Sequence, residues 1–129
     1  MSKQCIGNIR TGSGGQSLPF SPAVRAGDFV YVSGQTAMNE EGEILSGGIE
    51  TQARGVFEII INILKMAGCE MEDVIKVNVW LDDTRDFAGY NRIFTEYFAE
   101  NPPARSTVQS KLVIDAKIEA DVVAYKPLT

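Results

Sequence analysis

The strongest constraint on this chain is a switch of hydrophobic period within one short stretch. Over residues 49–67, apolar side chains recur at Ile49, Ala53, Val56, Phe57, Ile60, Ile63, Leu64 and Ala67. That is the spacing of a helix with one buried face, and Gly68 is a natural stop. Residues 74–81 then alternate, with Ile75, Val77, Val79 and Leu81 on one side and Lys76, Asn78 and Trp80 on the other, which is the period of a strand. Asp86 is placed to cap a second helix running to about Phe98, ahead of Pro102 and Pro103. Residues 28–33 follow the turn-like Ala26-Gly27 and are β-branched and aromatic, so they read as a strand. Residues 106–112 and 117–125 read as two more strands, joined by a short turn. The order strand, helix, strand, helix, strand, strand, with room for an extra N-terminal strand, predicts an α+β sandwich: a mixed β-sheet with two helices packed on one face.

Two helices cannot cover both faces of such a sheet. The other face carries Trp80, Val123 and Tyr125 among polar residues. It reads either as a subunit interface or as a solvated face with scattered apolar side chains.

The 129 residues fit a single domain, 1–129, and the 44% hydrophobic content predicts a packed core. Polar, glycine-containing residues 11–17 and 39–48 read as loops. Gly12-Ser13-Gly14-Gly15 is not a phosphate loop, because no Lys-Ser/Thr follows it.

Several function classes are excluded or disfavoured. A net charge of −5 with no Lys/Arg cluster argues against nucleic acid. No apolar run is long enough to span a bilayer, so no membrane is expected. The first residues lack the apolar segment of a signal peptide, and Cys5 and Cys69 lie far apart, so a reduced, cytoplasmic setting is expected. The chain has no histidine, which removes His-based triads and His-based zinc sites. Proton transfer would fall to carboxylates, Tyr, Lys, Cys or water.

Four features are candidates for chemistry. Arg105 follows two prolines at the head of a strand, where a guanidinium can hold a carboxylate through two parallel hydrogen bonds; by position alone it also reads as a surface ion pair. Glu119 and Asp121 alternate with Ile118, Ala120, Val122 and Ala124 and so point away from the regular apolar set. A half-buried Glu can move protons near neutrality, and a solvated strand face is the plainer reading. Asn91 sits in the stripe Phe87, Asn91, Phe94, Phe98 and needs a hydrogen-bond partner, either in a loop or in a pocket. Ser33-Gly34 ends a strand, as a turn or a close approach to a ligand.

Taken together, several runs resemble the RidA/YjgF family. They are Ser21-Pro22-Ala23-Val24-Arg25-Ala26-Gly27-Asp28 with the strand after it, residues 48–54, Asp73-Val74-Ile75-Lys76-Val77-Asn78-Val79, Tyr90-Asn91, and Pro102-Pro103-Ala104-Arg105-Ser106-Thr107-Val108 with Ile118-Glu119. The resemblance implies a chorismate-mutase-like fold, a homotrimer with clefts between subunits, and hydrolysis of reactive 2-imino or 2-enamino acids to 2-oxo acids and ammonia without cofactor or metal. It implies that Arg105 holds the substrate carboxylate and that Glu119 directs water and protons. Ser33, Gly34 and Asn91 would line the pocket. Phe20 stands where the family often has Tyr, Thr107 where many members have Cys, and the stretch from Arg105 to Glu119 is one residue short. These departures bear on substrate choice. The alternatives are a deaminase specialised for one pathway intermediate, such as an aminomuconate-like or aminoacrylate-like compound, and a small-carboxylate-binding module without turnover. Ribonuclease activity, attributed to some relatives, fits poorly with the charge and the missing histidine.

Overall fold

A computed structural model describes residues 2–9 and 17–128, so the glycine-rich run 12–15 and most of the loop expected at 11–17 lie outside the described residues. The strands are β1 (Gln4–Ile6), β2 (Ala23–Ala26), β3 (Phe29–Gln35), β4 (Val74–Leu81), β5 (Ala104–Gln109) and β6 (Ile118–Tyr125). The helices are α1 (Ile49–Met66) and α2 (Phe87–Tyr97). The six strands form one sheet in the order β1-β2-β3-β6-β4-β5. Only the β4–β5 pair is parallel; the others are antiparallel.

Each element follows from local chemistry. β2 and β3 form a hairpin whose first central residue, Gly27, has φ 60°, a conformation open to glycine. α1 ends at Ala67, and Gly68 takes φ 78°. Its face of Ala53, Val56, Phe57, Ile60 and Leu64 is fully buried against Val30, Val77, Val79, Ile118, Ala120 and Val122 of the sheet. Each large side chain there contributes about 2–3 kcal/mol by leaving water. α2 adds Tyr90, Ile93 and Phe94 to the same core, and the Phe57 ring meets Phe94 and Phe98 edge-on. The expected mixed sheet with two helices on one face is the observed architecture.

The interior also holds a cation that has no carboxylate partner among the described residues. Arg25 is 8% exposed, and its guanidinium donates to the carbonyls of Gly27, Lys126 and Ala67. It closes the C-terminal end of α1 and ties that end to the β2–β3 turn, which is the favourable place for a positive charge on a helix.

Three local expectations are corrected. Ile75 was expected to share a face with Val77, yet it is 45% exposed while Val74 is buried. The register with β6 shifts between Val74 and Lys76, so Ile75 is the extra residue of a bulge. Asp86 is the residue before α2, but its side chain makes no capping bond; Asp83 accepts from the Arg85 amide in the preceding single turn instead. The last two strands are not neighbours joined by a short turn. β5 pairs with β4 alone at the edge, and residues 110–117 carry the chain back so that β6 inserts between β3 and β4. Among the described residues no helix is long and apolar enough to cross a membrane.

Candidate active site

The sheet's face assignments follow from its register. Val77 lies opposite both Arg105 on β5 and Val122 on β6, and Val77 and Val122 are buried beneath the helices. Arg105 therefore points to the helix side, at the outer edge of the sheet. Trp80 lies opposite Glu119, so that carboxylate points to the uncovered side.

On the helix side, α2 receives the Arg105 guanidinium on an aromatic platform. Its central carbon lies 4.7, 5.3 and 5.8 Å from the ring centres of Phe94, Tyr90 and Phe87. One N–H donates to Asn91 Oδ1 at 2.8 Å. That bond answers what the polar residue in the aromatic stripe is for. Among the described residues Arg105 has no acidic partner, so its positive charge is left to attract an anion. The charge is held by ring faces and a neutral amide, an arrangement that keeps a guanidinium in place without neutralising it. Thr107, two residues along β5 and in register with buried Val79, pairs its hydroxyl with that of Tyr90 at 2.7 Å. Thr107 also lines a cavity of about 260 Å³ with Leu81, Thr84, Phe87, Val108 and Gln109.

On the uncovered side, Glu119 is half-buried and its carboxylate lies against Gly34. A Cβ built on Gly34 would collide with a Glu119 carboxylate oxygen, so the glycine is there to let the acid in. The β3–β6 register is irregular between Val32 and Gln35, which brings Ser33 and Gly34 out of the regular ladder at this point. Burial pushes the Glu119 carboxyl above the usual range, and the neighbouring Asp121 carboxylate adds to this. Asp121 is also raised by burial, opposed by the bond it accepts from Asn78 at 2.9 Å. Ser33 donates its hydroxyl to the Ser21 carbonyl at 2.6 Å, so that donor is already used. Ser33, Phe20 and Ser21 line a second cavity of about 470 Å³ with Lys3, Cys5 and Val24.

The seven residues singled out from the sequence thus fall into two sets. Asn91, Arg105 and Thr107 lie together under α2; Ser33, Gly34 and Glu119 lie together on the uncovered face, with Phe20 beside Ser33. The sheet separates the sets within one chain. Tyr90 and Phe87 are the residues that site reasoning from sequence left aside; the signal for them was their helical spacing around Asn91. Among the described residues no group of three acidic or cysteine side chains is placed to hold a metal.

The crowding at Gly34 has a measurable consequence. Gly34 has no positive φ, so alanine fits its backbone, but its methyl must displace the Glu119 carboxylate. If Glu119 acts on a bound molecule, Gly34→Ala is expected to lower turnover about 100-fold while the melting temperature stays near wild type. Steady-state rates and a thermal melt check both.

Comparison with known proteins gives the family of the chain. Residues 15–126 match the family described as Endoribonuclease L-PSP. A RutC family protein of Pyrococcus horikoshii is 46% identical over 110 residues, covering 84% of this chain and 87% of its own. The human protein named 2-iminobutanoate/2-iminopropanoate deaminase is 39% identical over 114 residues, covering 86% and 83%. Among solved structures, RidA from an Antarctic Psychrobacter superposes with a TM-score of 0.82 at 35% identity, covering 95% and 98%. Yeast Mmf1 gives 0.87 at 29%, covering 97% and 99%. Matched along nearly all of its length in sequence and in fold, the chain belongs to the RidA/YjgF family, also described as Endoribonuclease L-PSP.

Proposed function

We propose that this protein hydrolyses reactive 2-imino and 2-enamino acids to 2-oxo acids and ammonia. The observation that carries the reading is the Arg105 guanidinium, held on three rings and Asn91 with no acidic partner among the described residues. Such a group fits the carboxylate that every 2-imino acid carries. The 39% identity to a protein named for imine deamination supports the choice of reaction. The family's ribonuclease name suits this chain less well, because it is acidic and contains no histidine.

The second half of the chemistry falls to Glu119. In this reading its carboxylate takes a proton from water as the water oxygen adds to the C=N carbon, and returns that proton to the nitrogen. The resulting carbinolamine then loses ammonia: the carboxylate carries the hydroxyl proton to the amine, the C–N bond breaks, NH3 leaves, and C=O forms. One carboxylate serves as base and then as acid, and its raised pKa suits both roles. The imine carbon is already electrophilic, so positioning and one proton-transfer group suffice without metal or cofactor.

Because Arg105 and Glu119 sit on opposite sides of one sheet, this mechanism requires two copies of the chain. We place the site in a cleft of a cytoplasmic homotrimer, where the uncovered face of one copy meets the β5 edge of the next. Exposed Phe29, Tyr31 and Tyr125 on that face supply the apolar area such an interface needs. Mixing two dead variants tests the arrangement. After subunit exchange of Arg105→Ala with Glu119→Gln, each mixed ring regains one intact site, so an equimolar mixture recovers about a quarter of wild-type activity. Imine decay is followed with an amino-acid oxidase supplying the substrate. No recovery from fully exchanged trimers would sink the shared-cleft mechanism. The same separation favours a second reading, a binding module for small carboxylates, since the Arg105 half is complete within one chain. That reading predicts 2-oxo acid binding with no acceleration of imine decay.

A further inference from the structure

Tyr90 lies at the centre of the Arg105 half-site, and nothing above gives its hydroxyl a task. The ring is fully buried, one face of it lies 5.3 Å from the guanidinium carbon, and its phenol meets Thr107 Oγ1 at 2.7 Å. Arg105 and Thr107 are on one strand, two residues apart, and point to one side. A single side chain on α2 therefore grips both. Among the described residues β5 has one sheet neighbour, so this grip holds the face of a strand that a single ladder secures.

The direction of the Tyr90–Thr107 bond follows from burial. A buried O–H donor left unused costs more than an acceptor with a spare lone pair. The 2.7 Å contact allows either hydroxyl to donate; the Tyr90 side chain is fully buried and Thr107 is partly exposed, so the phenol has the greater need to spend its proton here, and we take it as the donor. Burial also pushes the Tyr90 phenol up, which keeps it protonated and a donor. The Thr107 hydroxyl, with its oxygen occupied, then has its own hydrogen free. Thr107 is partly exposed and lines the cavity of about 260 Å³ with Phe87, and the centre of that ring lies 5.8 Å from the guanidinium carbon, so that hydrogen is free to turn into a space that Phe87 shares with Arg105.

We infer that Tyr90 is a positioning residue that sets the Thr107 hydroxyl as a second hydrogen-bond donor, beside Arg105, to the carboxylate of the ligand. The inference rests on the reading that Arg105 anchors that carboxylate. It gives the threonine of this chain a role that a thiol, a weaker donor, would fill poorly, and it makes the hydroxyl pair act as one unit.

The test is a double-mutant cycle on the intact protein, with 2-oxobutanoate binding measured by calorimetry and iminobutanoate turnover measured alongside. Thr107→Val and Tyr90→Phe are each expected to weaken binding, by about tenfold and several-fold respectively. The double variant binds no more weakly than Thr107→Val alone. Where turnover is measured, KM rises and kcat is kept, the mark of an interaction equally strong in ground and transition states. Thr107→Ser keeps the hydroxyl, keeps the affinity, and keeps its sensitivity to Tyr90→Phe. The double variant replaces both partners by apolar groups of similar shape and so guards against loss of folding, which a thermal melt verifies. Additive losses, or wild-type affinity in Tyr90→Phe while Arg105→Ala loses binding, overturn the role of Tyr90 and leave the anchor standing. Wild-type affinity in Arg105→Ala removes the anchor itself and the inference with it.

Discussion

Arg105→Ala is expected to reduce kcat/KM for 2-imino acids by two to three orders of magnitude or more, and to weaken 2-oxo acid binding on the same scale. Losing one partner of a desolvated, charge-assisted carboxylate contact costs about 2–5 kcal/mol, and each 1.4 kcal/mol is tenfold. Stability should fall as well, so binding and turnover are read on protein that a thermal melt shows to be folded. Arg105 gives up one bond to Asn91 and three ring contacts at a partly exposed edge, and exposed cation–π contacts are worth about 0.5–1 kcal/mol each. Arg105→Lys should rescue poorly, since an ammonium keeps the charge but not the planar pair of donors. Turnover and 2-oxobutanoate affinity are the readouts, and an alanine variant indistinguishable from wild type would remove the carboxylate anchor.

Glu119→Gln should separate binding from chemistry. It leaves the Arg105 half intact, so 2-oxo acid affinity is kept, while turnover falls by about 10²–10⁴-fold, the usual contribution of one acid–base group. In the wild type the rate should fall as pH drops through the raised Glu119 pKa, because the carboxylate form is the one that accepts the proton from water. Stability moves the other way. Glu119 and Asp121 have folded-state pKa values above their ordinary values, so the folded protein holds those protons more tightly. The stabilisation this gives is complete below the ordinary carboxylate range and is lost as pH rises through the raised values. At neutral pH both charges oppose folding. Glu119→Gln is therefore expected to melt higher than wild type near pH 7, with the difference vanishing on acidification. A variant that is less stable at neutral pH and equally active would contradict both roles.

Much of the fold was legible because its signals are local. The helical period from Ile49 to Ala67 and the stop at Gly68 need no distant partner, and α1 occupies Ile49–Met66. The alternation of Ile118, Ala120, Val122 and Ala124 against Glu119 and Asp121 is the observed burial pattern of β6. Where alternation failed, an inserted residue was the reason: the bulge at Ile75 breaks the period within one strand, and the sequence around it carries no glycine or proline to announce it. The cap at Asp86 failed because the single turn at Thr84–Asp86 precedes α2 and draws the capping bond to Asp83. Asn91 was identified by its conflict with the aromatic stripe, since a polar side chain there must be satisfied. Its partner lies fourteen residues away on another element, and only packing could supply it.

The sequence by itself determined the element types, the α+β class and the family, and it supplied the residues proposed for the site. Those rest on hydrophobic period, turn chemistry and motif order, which are properties of neighbours along the chain. The tertiary structure alone decided how the residues divide. Whether Arg105 and Glu119 share a side depends on β6 inserting between β3 and β4 and leaving β5 at the edge. Side-chain direction within a strand is fixed by parity, but parity carries no information across strands until their register is set. That register puts the guanidinium under α2 and the carboxylate on the uncovered face. A motif readable along one chain thus becomes two sets of residues on opposite sides of the sheet, and it is the proposed mechanism that needs a second copy of the protein to bring them together.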